Sequence, residues 1–445
     1  MDIIRKHDWV VTIITWVLVI IGIITIYSIT YNAENAIRGQ GTANKQLIFA
    51  FIGLGLYVSI SALVDYTYFK NYVVVAVLYL LVIGLLVVVL AISQANRGSV
   101  RWIALGPLSL EPSELSKLLV IIVSAFLFRH RLEGKSSLKR IALAVIIIAP
   151  ILGLVFIQPD LSTTISLLTI ALFIFLSSAP DFGKTFATLI TVVLAFNMTM
   201  LAFNALDFYK LVRLGDFIEQ IGELRWCIFI LLAGISSFIV ILKRRDAKVL
   251  FLALLVGAAL SIGYSYAWNN VIKDYQKERI NTFINPEEDP LGAGYQVNQS
   301  IIATGSGHFW GRGFGRGTQS NLNFLPERHT DFIFASYAEE FGFVGTVFLV
   351  FMYIGLLIRI VYIGIRSEDN FAFLICIGVA TMIFVQFAIN VGMNIGLMPV
   401  TGITLPLMSY GGSSLLTTIM GIALVQSVAK GRDLIDTNDS LIIRE

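Results

Sequence analysis

The sequence predicts an all-α, polytopic membrane protein, and three observations lead to this fold class. Of the 445 residues, 57% are hydrophobic and only 14% are charged, and the mean hydropathy is +0.82. Soluble globular domains have about a quarter of their residues charged, so this composition excludes that class. The apolar residues also fall in long runs, and the basic residues are concentrated between alternate runs.

The apolar runs have the length of transmembrane helices. A helix needs about 20 apolar residues to cross the hydrocarbon core of a bilayer. We count twelve runs: 9–30, 46–64, 72–93, 113–128, 141–157, 161–178, 185–203, 227–242, 249–268, 332–358, 371–394 and 404–429. An even number of spans places both termini on the same side of the membrane.

The basic residues predict which side that is, because lysine and arginine are enriched in cytoplasmic loops. They precede the first run and follow the fourth, eighth, tenth and twelfth: Arg5 and Lys6, the segment 129–140, the segment 243–248, Arg359 and Arg366, and Lys430 and Arg432. All of these lie inside if both termini are cytoplasmic. The sequence therefore predicts one integral-membrane domain over 1–430, a large outer loop over 269–331 and a short cytoplasmic tail over 431–445.

The outer loop contains NPEEDPLGAGYQ (285–296), which is a candidate catalytic turn. Pro286 and Pro290 restrain the backbone around Asp289, and the glycines that follow permit a tight turn. A carboxylate held in one orientation is suited to accept a proton from a substrate hydroxyl. The alternative is a solvated acidic loop, which the local sequence taken alone favours.

A glycine-rich stretch, 307–317, follows in the same loop and contains Arg312 and Arg316. Glycine lets a backbone approach a ligand closely, and arginine suits bidentate contact with phosphate. The stretch lacks the Gly-Lys-Ser/Thr ending of a Walker A loop, so it is not a nucleotide-binding motif of that type. An irregular loop on the membrane surface is the alternative.

Polar residues inside or beside the spans are costly in a membrane and indicate a site. Glu114 and Lys117 are three residues apart, so one helical face can present both. They either neutralise each other, or Lys117 meets an anionic group. Asp160 begins the sixth span, where it can cap the helix or belong to the site. Arg101 lies beside Trp102, a residue typical of the membrane interface.

The later spans also begin with polar residues on the outer side. The tenth starts at Asp331 and carries Glu339 and Glu340, and the twelfth contains MSYGGSS (408–414), whose small residues favour close helix packing. The outer polar residues belong to different spans or loops, so they could converge on one outward-facing cavity: Glu114, Lys117, Asp160, Asp289, Asp331 and Ser409.

Five blocks of sequence, taken in order, resemble the signature blocks of the SEDS family (shape, elongation, division and sporulation), and more closely those of its RodA-type than of its FtsW-type or SpoVE-type members. The blocks are RWIALGPLSLEPSELSK (101–117), QPDLST (158–163), NPEEDPLGAGYQ (285–296), LPERHTDFIFASYAEEFG (325–342) and LPLMSYGGSS (405–414). The resemblance covers nearly the whole chain.

The resemblance implies an enzyme, an inverting peptidoglycan glycosyltransferase of the bacterial cytoplasmic membrane. Such proteins polymerise lipid II into β-1,4-linked glycan at the outer face of that membrane, for cell elongation and shape maintenance. The implied leaving group is undecaprenyl diphosphate. The implied partners are a class B penicillin-binding protein, which is a transpeptidase, and other proteins of the elongation complex. Nothing in the sequence predicts binding to nucleic acid.

The resemblance also assigns roles to residues. Asp289 matches the family's essential extracellular Asp and would deprotonate the acceptor's 4-hydroxyl. Lys117 and Arg101, and next Arg279, would stabilise the diphosphate, with Glu114 orienting Lys117. Whether the reaction also uses a divalent cation, Mg²⁺ or Mn²⁺, stays open, and Asp289 and Glu288 are the candidate ligands for one. The remaining candidates for substrate binding are Asp160, Gln319, His329, Asp331 and Ser409.

The chain departs from the family pattern in three places. Glu111 stands where Gln is usual, and Ser162 stands where Gly is usual. The family core has ten spans, so the runs 227–242 and 249–268 read as an inserted pair. Two other functions compete with the enzyme: a lipid II flippase and a non-catalytic scaffold of the elongation machinery. A flippase needs a polar path through both halves of the bilayer, and the mainly apolar cytoplasmic half disfavours it.

Overall fold

The computed structural model describes residues 7–31, 36–92, 101–105, 108–130, 136–158, 160–179, 277, 279, 282–283, 292–321, 324–325, 327–367 and 369–442. The chain divides into two compact units, one of Met1–Pro180 with Gln296–Glu445 and one of Asp181–Tyr295. Nearly all described residues lie in the first unit. The seventh, eighth and ninth predicted runs lie outside the described residues.

The described elements are mostly helical. In chain order they are α1 (Trp9–Tyr31), α2 (Ala36–Leu63), a 3₁₀ helix (Tyr66–Lys70), α3 (Tyr72–Ile92), β1 (Ile103–Leu105), β2 (Leu108–Leu110), α4 (Pro112–Phe128), α5 (Ser136–Ile157), α6 (Leu161–Ser178), α7 (Ala293–Ser306), α8 (Thr318–Asn321), α9 (Ile333–Arg366), α10 (Asn370–Asn394) and α11 (Gly412–Ile442).

The helices confirm nine of the twelve predicted runs, and the other three are the runs outside the described residues. Eight described helices are long and apolar enough to cross a membrane: α1, α2, α3, α5, α6, α9, α10 and α11. The ninth, α4, has 17 residues and matches the predicted fourth run. A buried apolar core joins these helices, with large side chains such as Leu18, Ile121 and Tyr353 fully enclosed.

The fold differs from a purely α-helical one by a small sheet. Strands β1 and β2 pair antiparallel, with Ile103 opposite Leu110. Each strand has only three residues, so the helical bundle remains the architecture. The hairpin matters because it lies between Arg101 and the first residue of α4, and therefore holds that arginine near the outer end of the helix.

The twelfth span begins later than the apolar pattern predicted. The run 404–429 is helical only from Gly412, where α11 begins. Pro406 has no backbone N–H to donate, and Leu407 adopts a φ of 69°, which a helix cannot accommodate. Hydrophobicity alone did not reveal this irregular segment. At its other end, α11 continues to Ile442 through the segment predicted as a tail.

Two glycines permit the irregular segment to pack closely against other helices. A Cβ atom on Gly22 of α1 would lie 2.5 Å from the carbonyl oxygen of Met408. A Cβ on Gly412, the first residue of α11 directly after the segment, would overlap the ring of Phe49 in α2. The packing role expected for Gly412 is therefore confirmed. Gly411 is different, because its nearest neighbour would be 3.5 Å away, at ordinary contact distance.

Helix α9 breaks at Gly342, whose φ of 66° and ψ of −163° interrupt the helical path. A break leaves backbone groups without helical partners, and these must be satisfied elsewhere. The segment 307–313 supplies the partners. The amides of Arg312 and Gly313 donate to the carbonyl oxygens of Glu339 and Glu340, each at 3.0 Å. Much of the glycine-rich stretch is thus docked into the broken helix.

The residues predicted to face the cytoplasm meet one another. Arg359 at the inner end of α9 lies 2.8 Å from Asp8, and Lys70 lies 2.8 Å from Asp369. Asn370 donates to the carbonyl oxygen of Arg129 at 2.8 Å. These contacts join the N-terminus, the loop after α2, the end of α4 and the loop before α10 at one end, which agrees with the predicted orientation.

Candidate active site at the outer end of the helices

A buried ion pair marks the outer end of α4. The helix begins with Pro112, which fits the first helical position because its missing N–H is not needed there. One turn later, Lys117 Nζ lies 2.6 Å from Glu114 Oε1. Both residues are buried, with exposures of 2% and 7%. Glu114 Oε2 is buried without a hydrogen-bond partner among the described residues, so one carboxylate oxygen is unsatisfied.

Asp160 serves both purposes considered for it. Its Oδ1 accepts from the backbone N–H of Thr163 at 3.2 Å and so caps α6. The same oxygen lies 3.6 Å from Arg101 Nη1. The residue is 1% exposed, and its Oδ2 has no hydrogen-bond partner in the described part of the chain. Cap and ion pair therefore coexist in one side chain.

Glu111 joins these residues, although the sequence marked it only as a departure from the family pattern. Its Oε2 accepts from Trp102 Nε1 at 3.1 Å. Burial, together with the neighbouring carboxylates of Asp160 and Glu114, raises the pKa of Glu111 to about 8. The available signal was its position at the N-cap of α4, one turn before Glu114. We call Arg101, Glu111, Glu114, Lys117 and Asp160 the outer charged cluster.

Ser409 belongs to a second group of outer residues, built from the loops before α9 and α11. Its Oγ donates to the carbonyl oxygen of Thr330 at 2.6 Å and accepts from the backbone N–H of Leu405 at 2.8 Å. Its own carbonyl oxygen accepts from Gln46 Nε2 at 3.1 Å. Ser409 is therefore a joint between two loops, held on three sides.

His329 lies in the same group. Its carbonyl oxygen accepts from the backbone N–H of Tyr410 at 2.8 Å, and the two rings are 5.7 Å apart. Burial lowers the pKa of His329, so the imidazole is neutral at pH 7. Asp331 is fixed through its carbonyl oxygen, which accepts from Asn390 and Asn394 at 2.9 and 3.0 Å.

Two serines connect the outer charged cluster to this second group. Ser413 Oγ accepts from the backbone N–H of Glu111 at 2.9 Å. Ser162 Oγ donates to the carbonyl oxygen of Thr401 at 2.5 Å. Ser162 is the second departure from the family pattern, and its hydroxyl thus ties α6 to the segment before α11. The cluster and the loops therefore form neighbouring parts of one outer region.

Comparisons with known proteins identify the family to which the chain belongs. The FtsW/RodA/SpoVE family model, described as a cell cycle protein, matches residues 8–225 and 227–433. The chain belongs to the FtsW/RodA/SpoVE family. It is therefore a multi-pass protein of the bacterial cytoplasmic membrane.

Individual relatives match over most of their length. The peptidoglycan glycosyltransferase RodA of Treponema pallidum is 33% identical over 428 residues, which cover 96% of this chain and 98% of the relative. The peptidoglycan glycosyltransferase MrdB of Escherichia coli K12 is 34% identical over 359 residues, or 80% and 78% of the two chains. A chain in a solved peptidoglycan synthase complex has a TM-score of 0.64 and 26% identity, over 96% of this chain and 98% of that one.

Several expected site residues of this FtsW/RodA/SpoVE-family chain are placed differently or not at all. Arg279 is half-buried and lies in the second unit. Asp289 and Glu288 lie outside the described residues. Gln319 is the second residue of α8, and its backbone N–H donates to Glu339 Oε1 at 2.9 Å. Among the residues that the structure describes, no group of three or more His, Cys, Asp or Glu side chains is arranged to hold a metal ion.

Proposed function

We propose that this chain is an inverting peptidoglycan glycosyltransferase that polymerises lipid II into β-1,4-linked glycan at the outer face of the cytoplasmic membrane, for cell elongation and shape maintenance. The outer charged cluster carries the proposal, because it holds a buried ammonium group, Lys117, at the end of the bundle that faces the substrate. Two relatives carry this activity in their names, which supports the proposal.

The cluster suits the leaving group of that reaction. In the transfer, the bond between the donor sugar's C1 and the diphosphate oxygen breaks, and negative charge builds on undecaprenyl diphosphate. A cation in a buried, low-dielectric site interacts with such charge far more strongly than one in water. Lys117 and Arg101 supply the positive charge, and Arg279 is the next candidate. Glu114 orients Lys117 through the contact of 2.6 Å.

Asp289 acts on the other substrate in this proposal. It takes the proton from the acceptor's 4-hydroxyl while that oxygen forms the new bond to C1, so the configuration at C1 inverts. The restraint of Asp289 between two prolines supports the assignment. Asp289 and Glu288 are candidate ligands for a divalent cation, Mg²⁺ or Mn²⁺. No step of the proposed reaction depends on that cation.

The remaining candidates would surround the sugars. Asp160 and Ser409 are anchored by backbone contacts, and His329 is neutral at pH 7, so it can both donate and accept a hydrogen bond. We assign these residues, with Gln319 and Asp331, to binding of the disaccharide and its diphosphate. For the partner, we propose a class B penicillin-binding protein, since a structural neighbour belongs to a complex that coordinates polymerisation with crosslinking.

The direct test is polymerisation of labelled lipid II by the purified protein with its partner, in detergent. Wild type should make glycan chains, and Asp289→Ala should make none. If wild type makes no polymer under conditions that support a control enzyme of the family, the enzymatic proposal fails, and lipid II flipping in vesicles becomes the next measurement. If Asp289→Ala polymerises as well as wild type, the assignment of the base fails.

A further inference from the structure

The side chain of Glu339 occupies a cradle of hydrogen-bond donors made by α8, which directly follows the glycine-rich stretch. The carboxylate is fully buried. Its Oε1 accepts from Thr318 N at 2.7 Å, Thr318 Oγ1 at 3.1 Å and Gln319 N at 2.9 Å. Its Oε2 accepts from Ser320 N at 3.1 Å and Ser320 Oγ at 2.7 Å. Such charge-assisted bonds compensate the cost of burying a carboxylate.

The cradle explains the sequence GRGTQS at positions 315–320. A Cβ atom on Gly317 would lie 2.8 Å from Glu339 Oε2, so a larger residue would push the carboxylate away. Arg312 Nε lies 4.0 Å from Glu339 Oε1 and also donates to the carbonyl oxygen of Ser306 at 3.1 Å. Successive backbone N–H groups beside an arginine are features that bind phosphate in many proteins. Here the anion in the cradle is the chain's own carboxylate.

The cradle also determines where α8 and the following loop lie. The carbonyl oxygen of Gln319 accepts from the backbone N–H of Leu325 at 3.3 Å. The carbonyl oxygen of Ser320 accepts from Arg328, the residue before His329. Gln319 Oε1 is buried without a hydrogen-bond partner in the described part of the chain. The backbone of Gln319 is therefore held by hydrogen bonds at its N–H and at its carbonyl oxygen, while the acceptor oxygen of its carboxamide is unsatisfied.

We propose that Glu339 is a positioning residue that holds α8 so that the carboxamide of Gln319 binds a hydroxyl or amide N–H of the lipid II sugars. This inference rests on the proposed glycosyltransferase function and adds a sugar contact to it. It removes the N–H donors of α8 from the diphosphate site, because Glu339 already fills their anion cradle. Glu339 does not touch the substrate, and Gln319 does.

A double-mutant cycle tests whether Glu339 acts through Gln319. The variants are Glu339→Gln, Gln319→Ala and the pair together, assayed for kcat/KM with lipid II. Glu339→Gln keeps the shape but turns an NH₂ group toward the N–H donors of α8. Each single variant should lower kcat/KM about tenfold, and the pair should fall within about twofold of the worse single variant, because coupled residues are not additive. The proposal would be overturned if the kcat/KM losses of the two single variants multiplied in the double variant. It would also be overturned if Glu339→Gln kept the wild-type kcat/KM.

Glu340→Gln is the matched control, since Glu340 is the next residue of α9 and equally buried, but accepts from Ser28 Oγ at 2.6 Å instead of from α8. When Glu340→Gln is combined with Gln319→Ala, the changes in kcat/KM of the two single variants should multiply. If Glu339→Gln does not fold, Ser320→Ala replaces it in the cycle, because it removes one donor to Glu339 and leaves the carboxylate intact.

Hydrogen exchange separates this inference from the proposed function. The amides of Thr318, Gln319 and Ser320 should be protected in wild type and should lose protection in Glu339→Gln, while amides in α10 stay unchanged. If wild type forms no polymer, the proposed function fails and the exchange result decides the positioning claim by itself. Unchanged protection of these three amides in Glu339→Gln would refute the positioning claim whatever the activity.

Discussion

The outer charged cluster and the cradle around Glu339 both bury carboxylates near the outer surface, but they differ in how those carboxylates are satisfied. In the cradle, each oxygen of Glu339 accepts at least two hydrogen bonds. In the cluster, Glu114 Oε2 and Asp160 Oδ2 are buried without hydrogen-bond partners among the described residues. A satisfied buried ion holds structure together, whereas an unsatisfied one is costly unless a ligand completes it. The comparison separates a structural anion from a binding site.

The largest expected effect follows removal of the cluster's buried cation. Lys117→Met should lower the rate of lipid II polymerisation about 100-fold or more, because a preorganised charge at a departing group is worth about that much. Arg359→Gln is the control, since it breaks an ion pair with Asp8 at the cytoplasmic end. It should stay within about twofold of wild type. A folded Lys117→Met variant with a rate close to wild type would refute the role of Lys117.

Asp160 allows its two roles to be separated by substitution. Asparagine also caps helices, so Asp160→Asn should keep the contact with Thr163 and unfold near the wild-type temperature. It loses the negative charge beside Arg101, and the polymerisation rate should fall about tenfold. Asp160→Ala should in addition lose about 1 kcal/mol of stability with the cap. If Asp160→Asn is fully active, the residue is only a cap.

The cradle predicts a smaller effect, on stability. Gly317→Ala should lower the free energy of unfolding by about 1–3 kcal/mol, because the new methyl group would lie 2.8 Å from Glu339 Oε2. Gly411→Ala is the matched control, with its nearest neighbour at 3.5 Å, and should change stability by less than about 0.5 kcal/mol. Thermal unfolding in detergent measures both. Equal effects at the two glycines would contradict the close packing of the cradle.

The last prediction is the pH dependence that Glu111 adds to stability. The unfolded chain releases this proton near the ordinary pKa of 4.5, whereas the folded protein keeps it up to about pH 8. Between these values unfolding releases a proton, so the free energy of unfolding falls as the pH rises. Glu111→Gln should remove this contribution, and its gain over wild type should grow from pH 5 to pH 8. Parallel stability curves for the two proteins would rule out the raised pKa.

The sequence predicted the parts of this fold and site that depend on local pattern. Long apolar runs gave the spans that the structure describes, and the spacing of Glu114 and Lys117 predicted their contact on one helical face. The N-cap role of Asp160 followed from its residue type and its position before the sixth span. Each of these depends on neighbours within about one helical turn, which a sequence displays directly.

The parts that were missed depend on contacts between distant segments. Glu339 and Glu340 are adjacent in sequence, yet one faces α8 and the other faces Ser28, and no local pattern distinguishes them. The glycine-rich stretch suggested a phosphate site because its composition suits any anion, including a carboxylate of the same chain. Glu111 gained its place only when the β-hairpin and α6 brought Arg101 and Asp160 to the start of α4.

Glu339 fills the cradle, whereas the outer charged cluster has unsatisfied carboxylate oxygens. Binding of a short-chain prenyl diphosphate to the protein in nanodiscs tests which of the two regions holds the diphosphate. Lys117 and Arg312 are both cations of a type that binds phosphate, but only Lys117 lies in the outer charged cluster. We expect Lys117→Met to raise the Kd at least tenfold and Arg312→Gln to leave it within about twofold of wild type. If Arg312→Gln weakens binding as much as Lys117→Met, the diphosphate site includes the glycine-rich stretch and the account is wrong.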